Sequence, residues 1–167
     1  MKLLKGGDMK MNAIKIKDFD YYIYVDYSEN LIGYTIIEKK EVKDLLLKIS
    51  KLKHYKGLKH KREYLNSMKK LFVREKIDSL LFRKKIKSLR DNMEVFIDIL
   101  EFIKKHDNCI IFVCIDDYQF RKFRKMVRLI DGEKTKVVKE SSLKKGSCEY
   151  QMSLIIDTKL NMERRKQ

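Results

Sequence analysis

Three aspartates stand where acids are least expected. Asp26 closes the apolar run Tyr21-Tyr22-Ile23-Tyr24-Val25, Asp116 follows Cys109-Ile110-Ile111-Phe112-Val113-Cys114-Ile115, and Asp157 comes directly after Leu154-Ile155-Ile156. A carboxylate at the margin of an apolar element is costly unless a cation or a metal compensates it. Carboxylates at the carboxyl ends of strands in an open α/β sheet face the crevice where ligands bind. An all-oxygen set of this kind suits Mg²⁺ or Mn²⁺ rather than zinc. Two such ions about 4 Å apart can activate a water and stabilise the leaving oxygen of a phosphodiester. Each acid also has a plainer reading. Asp26 can start a turn with Ser28 and Asn30, Asp116 can cap the following helix, and Asp157 can be a solvated helix residue near Arg164.

Other chemistry finds little footing. The cysteines are Cys109, Cys114 and Cys148, an odd count without the paired spacing of a disulfide framework or a zinc site. Cys109 and Cys114 lie in an apolar run, where cysteine behaves as a small hydrophobe. His54, His60 and His106 form no ligand-spaced pair and carry no assigned chemistry. No phosphate-cradling glycine pattern, H-E-x-x-H or nucleophile elbow is present.

The chain holds 40 Lys and Arg against 24 Asp and Glu, a net charge of +16. A lysine-rich surface alone would be nearly balanced by acids, so the excess points to a polyanionic partner, RNA or DNA. Residues 120–130 sharpen this expectation. Phe120, Phe123, Val127 and Ile130 share one helical face, while Arg121, Lys122, Arg124, Lys125 and Arg128 form a basic one suited to phosphate oxygens. A second basic stretch, Lys51 to Arg62, interleaves His54, Tyr55 and His60. It is either a further backbone contact or a solvated segment.

The elements that must position these groups alternate between strand and helix patterns. Residues 21–26 and 31–37 are rich in aromatic and β-branched types around a short polar turn, which predicts a hairpin whose first strand is covered on both faces. Residues 41–106 read as two or three helices, with Ile77, Leu81, Leu89, Met93, Phe96, Leu100 and Ile103 near helical spacing and Gly57 as an interruption. A strand over 109–115, a basic helix, a turn at Asp131-Gly132, a strand over 135–139 and a last helix capped by Ser147 complete the pattern. In that last helix Glu149, Ser153, Asp157 and Asn161 form a polar lane beside Cys148, Met152, Ile156 and Leu160.

The expected class is α/β: one mixed sheet covered by helices, in one domain over 1–167, with an enlarged helical middle segment. Residues 1–15 are expected to form a loose arm, with Met9 and Met11 as alternative starts. No apolar run reaches the roughly 20 residues of a membrane span. The start lacks a signal-length apolar stretch, so the expected location is cytoplasmic.

The run Tyr24-Val25-Asp26-Tyr27-Ser28 with Asn30 and Gly33-Tyr34 resembles the first hairpin of ribonuclease H-like proteins. Ile115-Asp116-Asp117-Tyr118-Gln119-Phe120 is similar to that superfamily's fourth strand, with its metal-binding aspartate and the helix after it. Asp157 matches the last acid of the family. The resemblance covers residues 20–38 and 109–162 and implies a divalent-metal-dependent nuclease, with Asp26, Asp116 and Asp157 as metal ligands. The departures are equally specific. Only two strands precede the helices where the family has three, and no one of Glu41, Glu63 and Glu94 stands out as the family's helix glutamate. Glu140-Ser141-Ser142 offers another acid or a loop. The alternative is a non-catalytic nucleic-acid-binding or assembly protein on the same scaffold, and a third reading is a helical protein-interaction module.

Overall fold

A computed structural model describes residues 19–166; the expected arm over residues 1–15 lies outside them. The chain forms β1 (Tyr21–Ser28), β2 (Leu31–Glu38), α1 (Val42–Lys48), α2 (Lys61–Arg74), β3 (Arg83–Ser88), α3 (Asn92–Lys105), β4 (Cys109–Val113), α4 (Asp117–Asp131), β5 (Lys136–Lys139) and α5 (Cys148–Arg164). The sheet order is β3-β2-β1-β4-β5. The pairs β1–β2 and β2–β3 are antiparallel, while β1–β4 and β4–β5 are parallel.

Strand β1 is central and buried on both faces, as its unbroken apolar run predicts. Tyr22 and Tyr24 enter one core with Ile110, Phe112, Met152 and Ile156. Ile23 and Val25 enter the other with Val95, Ile99, Ile111 and Val127. Helices α1, α2 and α5 therefore cover one face of the sheet, and α3 and α4 the other.

The middle segment differs from its sequence expectation in two ways. Three helices are present, but Arg83–Ser88 is a strand that pairs with β2 from Leu31↔Ser88 to Ile36↔Arg83. Its sequence, RKKIKS, has one apolar residue and no alternation to reveal it. Such lysine-rich edges discourage pairing with another sheet. The second difference is rotational. Helix α3 buries Val95, Ile99, Phe102 and Ile103, while Met93 is 55% exposed, so the core stripe lies beside the predicted one. Ile77 belongs to a 3₁₀ turn and Leu81 to extended chain, which explains why their spacing misled.

Helix α5 packs on β1 and β2 beneath α1, α2 and the turn at 55–57. Its apolar residues Met152, Ile156 and Leu160 are buried, and so are Ser153, Asp157 and Asn161 of the polar lane. A helix enclosed on so many sides has no solvated face along these turns. Its polar groups find partners inside: Asn161 Nδ2 donates to the Asp157 carbonyl at 2.8 Å, and Ser28 Oγ donates to Asn161 Oδ1 at 3.1 Å. Ser147 caps the helix as expected, accepting from the Tyr150 amide.

Candidate functional site

Strand periodicity builds the site. Side chains two apart share a face, so Asp26 continues the face of Tyr22 and Tyr24. Cys114 continues that of Ile110 and Phe112, and Glu140 that of Val138. These are the carboxyl ends of three neighbouring strands, β1, β4 and β5. One ligand atom each from Asp26, Cys114 and Glu140 lies within 4.8 Å of the others. Asp157 approaches from α5 and is 7% exposed; Asp26 is 5% exposed.

Burial dominates the electrostatics. It pushes the Asp26 carboxyl well above the usual carboxylate range, and the charges of Glu140 and Asp157 push it further. The Tyr27 amide, which donates to Asp26 Oδ1 at 2.8 Å, and the Cys114 thiol offset part of this. Glu140 is also raised by burial, with the Cys114 thiol and His54 acting against it. Asp157 is raised by burial and partly restored by the Tyr55 amide, His54 and Lys56. Burial likewise pushes the Cys114 thiol up, reinforced by Asp26 and Glu140. Among the described residues no lysine or arginine is ion-paired with Asp26 or Glu140, although the chain carries a net charge of +16.

The structure brings together two of the three aspartates singled out by sequence. Asp26 belongs to the cluster and Asp157 lies close enough for its charge to act on Asp26, whereas Asp116 is exposed and caps α4, its Oδ1 accepting from the Gln119 amide at 2.8 Å. Strand β4 ends at Val113 rather than Ile115, so Cys114 occupies the inward place and Asp116 falls after the chain has turned. Cys114 is thus not the passive hydrophobe expected of it. Glu140, left open between an acid and a loop residue, belongs to the cluster and begins a 3₁₀ turn. Counting in twos from Val138 would have found it. Glu41 sits in a 3₁₀ turn after β2, Glu63 is exposed on α2, and Glu94 pairs with Lys87 at 3.2 Å; none joins the cluster.

The second basic stretch folds against the site. Tyr55 is buried, and its amide donates to Asp157 Oδ2 at 3.0 Å. His54 Nε2 lies 3.9 Å from Asp157 Oδ1, while its Nδ1 accepts from the Lys56 amide at 3.4 Å. Arg165 donates to the Tyr55 hydroxyl, and the Arg164 guanidinium lies 5.4 Å from the Tyr55 ring centre. Lys53 and Lys56 remain exposed beside it.

On the other side of the sheet, α4 exposes Arg121, Lys122, Arg124, Lys125 and Arg128, with Phe123 and Val127 buried beneath. Ile130, expected on the apolar face, is 40% exposed. Lys122 Nζ stands 4.7 Å over the Tyr118 ring, and Arg128 pairs with Glu133 at 3.2 Å. Asp117 at the start of α4 binds Lys139 at the end of β5, which ties this basic helix to the strand leading to Glu140. No helix among the described residues is long and apolar enough to cross a membrane.

The donor set fits a divalent cation: two carboxylates and a thiol converge, a third carboxylate is nearby, and no lysine or arginine among the described residues is ion-paired with Asp26 or Glu140. No protein-family model matches the chain, and no curated protein matches its sequence. Solved structures do. The ribonuclease H2 of Pyrococcus horikoshii OT3 aligns with a TM-score of 0.53 at 14% identity, covering 87% of this chain and 72% of that one. A ribonuclease HII of Archaeoglobus fulgidus, solved in a complex with PCNA, aligns at a TM-score of 0.44 and 15% identity over 87% and 71% of the two chains. The mixed sheet of order β3-β2-β1-β4-β5, flanked by helices on both faces, together with the first of these likenesses, makes this a ribonuclease H-like fold.

Proposed function

We propose that this protein is a divalent-metal-dependent nuclease that hydrolyses phosphodiester bonds of RNA or DNA, with Mg²⁺ or Mn²⁺ as the ion and the cytoplasm as its location. The observation that carries the reading is the convergence of buried Asp26 with half-buried Glu140 and Cys114 at strand ends in a strongly basic chain. Asp26, Glu140 and Asp157 hold the cation, and Asp116 stays outside this set as a helix cap. Bound divalent cations supply an activated water and neutralise charge building on the phosphodiester. The chain's own part is preorganisation. The Tyr27 amide fixes one oxygen of Asp26, the Tyr55 amide fixes one of Asp157, and burial excludes bulk water that would weaken both contacts. The exposed cations of α4, Arg121, Lys122, Arg124, Lys125 and Arg128, grip the backbone without reading bases.

The test is cleavage of single strands, duplexes and RNA–DNA hybrids by purified protein with Mg²⁺ or Mn²⁺, alongside Asp26→Asn and Asp157→Asn. Cleavage that disappears in both variants is the expected result. No cleavage of any substrate, or cleavage that survives both substitutions, overturns the proposal. A second reading, nucleic-acid binding without catalysis, draws on one observation: a thiol stands among the carboxylates. It predicts binding that weakens steeply with salt and no product.

A further inference from the structure

The cluster at the strand ends is not all oxygen. Cys114 stands between the ends of β1 and β5, with its Sγ within 4.8 Å of a carboxylate oxygen of Asp26 and of Glu140. The other cysteines are elsewhere: Cys109 opens β4 on the α3–α4 face, and Cys148 begins α5. Cys114 is the cysteine placed where a cation would sit.

Hard ions such as Mg²⁺ take oxygen ligands and demand near-octahedral geometry, whereas zinc-class ions accept sulfur and oxygen together in tetrahedral sites. With metal–sulfur and metal–oxygen bonds of about 2.3 and 2.1 Å, tetrahedral ligand atoms stand about 3.6 Å apart. The three ligand atoms here all lie within 4.8 Å of one another, the neighbourhood such a site needs. Octahedral Mg²⁺, with bonds of about 2.1 Å, needs neighbouring oxygens about 3 Å apart and gains little from a sulfur ligand. Asp26 adds a second constraint. It is 5% exposed, faces Glu140, and has no lysine or arginine ion-paired with it among the described residues, so a bound cation is what would compensate its ionised form.

We infer that Cys114 is a metal ligand, and that it makes the site selective for a thiophilic divalent ion of the zinc class, with Asp26 and Glu140 as its oxygen ligands and Mg²⁺ as a weaker occupant. The inference rests on the metal site proposed above and specifies the ion that site prefers. When the ion binds, a bond forms between sulfur and metal, and the thiol proton leaves to solvent. Zinc at this position competes with Mg²⁺ or Mn²⁺ for the carboxylates, so trace zinc would displace the ions of the proposed nuclease.

Cobalt(II) is the probe, because it reports its ligands in its absorption spectrum. The purified 167-residue protein is titrated with Co²⁺ and then with Zn²⁺, and compared with Cys114→Ser, Cys114→Asp, Cys109→Ala and Cys148→Ala, each checked for native fold by circular dichroism. The expected result is a near-ultraviolet sulfur-to-cobalt charge-transfer band that Zn²⁺ abolishes. That band is absent from Cys114→Ser and Cys114→Asp and retained in the other two variants. Zn²⁺ affinity should fall by more than about 10-fold in Cys114→Ser, at least the loss seen when an outer partner of a ligand is removed. Cys114→Asp, with an oxygen at the same place, should prefer Mn²⁺ and Mg²⁺. Visible ligand-field bands without the charge-transfer band would overturn Cys114 as a ligand while leaving the carboxylate metal site standing. Calorimetric titrations in which neither the wild type nor Cys114→Asp binds Co²⁺, Zn²⁺, Mn²⁺ or Mg²⁺ would overturn both.

Discussion

Replacing Asp26 with asparagine removes a charge that burial and two neighbouring carboxylates oppose. In metal-free buffer the variant should be more stable than the wild type by about 1–2 kcal/mol, the usual scale when a functional site gives up its strain. Urea denaturation with EDTA reads this directly; an unchanged or lower midpoint would contradict it. The same groups set a pH dependence. Asp26, Glu140 and Asp157 bind their protons more tightly in the folded chain than in the unfolded one, because burial raises all three. Between the ordinary carboxylate value of about pH 4 and the raised values, the folded state carries more protons, so stability falls as pH rises through that window. The metal-free thermal midpoint should therefore climb as pH is lowered from about 7 toward about 5, and the slope should shrink in Asp26→Asn. A wild-type midpoint that rises with pH over this range would reverse the sign and refute the account. Gly33, paired with Asp26 across the hairpin, is a purely steric case. A Cβ there would meet the Lys85 carbonyl oxygen at 2.9 Å and Ile156 Cδ1 and Ile86 Cγ1 at 3.0 Å. Gly33→Ala should cost about 1–3 kcal/mol, as overpacking does, and push α5 away from the sheet.

At the scale of elements, the start of α4 separates capping from metal binding. Asp116→Ala removes the acceptor for the Gln119 amide and should cost about 1 kcal/mol, while Asp116→Asn keeps the cap and should be nearly neutral. Both should bind metal like the wild type; a loss of metal in Asp116→Asn would return this residue to the ligand set. The same element shows what residue types reveal and what they hide. The hairpin was legible because Tyr21–Val25 and Leu31–Ile37 are aromatic and β-branched, and α4 because its apolar stripe recurs at helical spacing. Strand β3 was not, since RKKIKS is held by its ladder to β2 rather than by any apolar pattern of its own. Asp26 and Asp157 stood out against apolar neighbours. Glu140 and Cys114 did not, because one lies in a polar segment and the other resembles the strand it ends. What places them is the two-residue alternation of β4 and β5, and that reads correctly only once the strand ends are known.

Over the whole molecule, charge is divided between two places. Asp26 and Glu140 gather at the strand ends, largely out of solvent, while the cations of α4 and of the Lys51–Arg62 stretch lie largely in solvent. Nucleic-acid binding should accordingly weaken with salt. Removing one phosphate-gripping cation, as in Arg121→Ala or Arg124→Ala, should make the slope of log affinity against log salt shallower by roughly 0.9 on duplex DNA. Slopes unchanged in both variants would remove α4 from the interface. The burial of α5 has a consequence in time. The cluster draws on positions 26, 114 and 140, with Asp157 beside it, so residues from the two ends of the described chain must meet before the site is complete. As the chain is synthesised from its amino terminus, Asp26 emerges early and waits; Asp157 arrives with the last described helix, which also closes the core over β1 and β2. A nascent chain still lacking residues 148–164 carries Asp26, Cys114 and Glu140 on a sheet face that α5 has not yet covered, so the site gains its burial last.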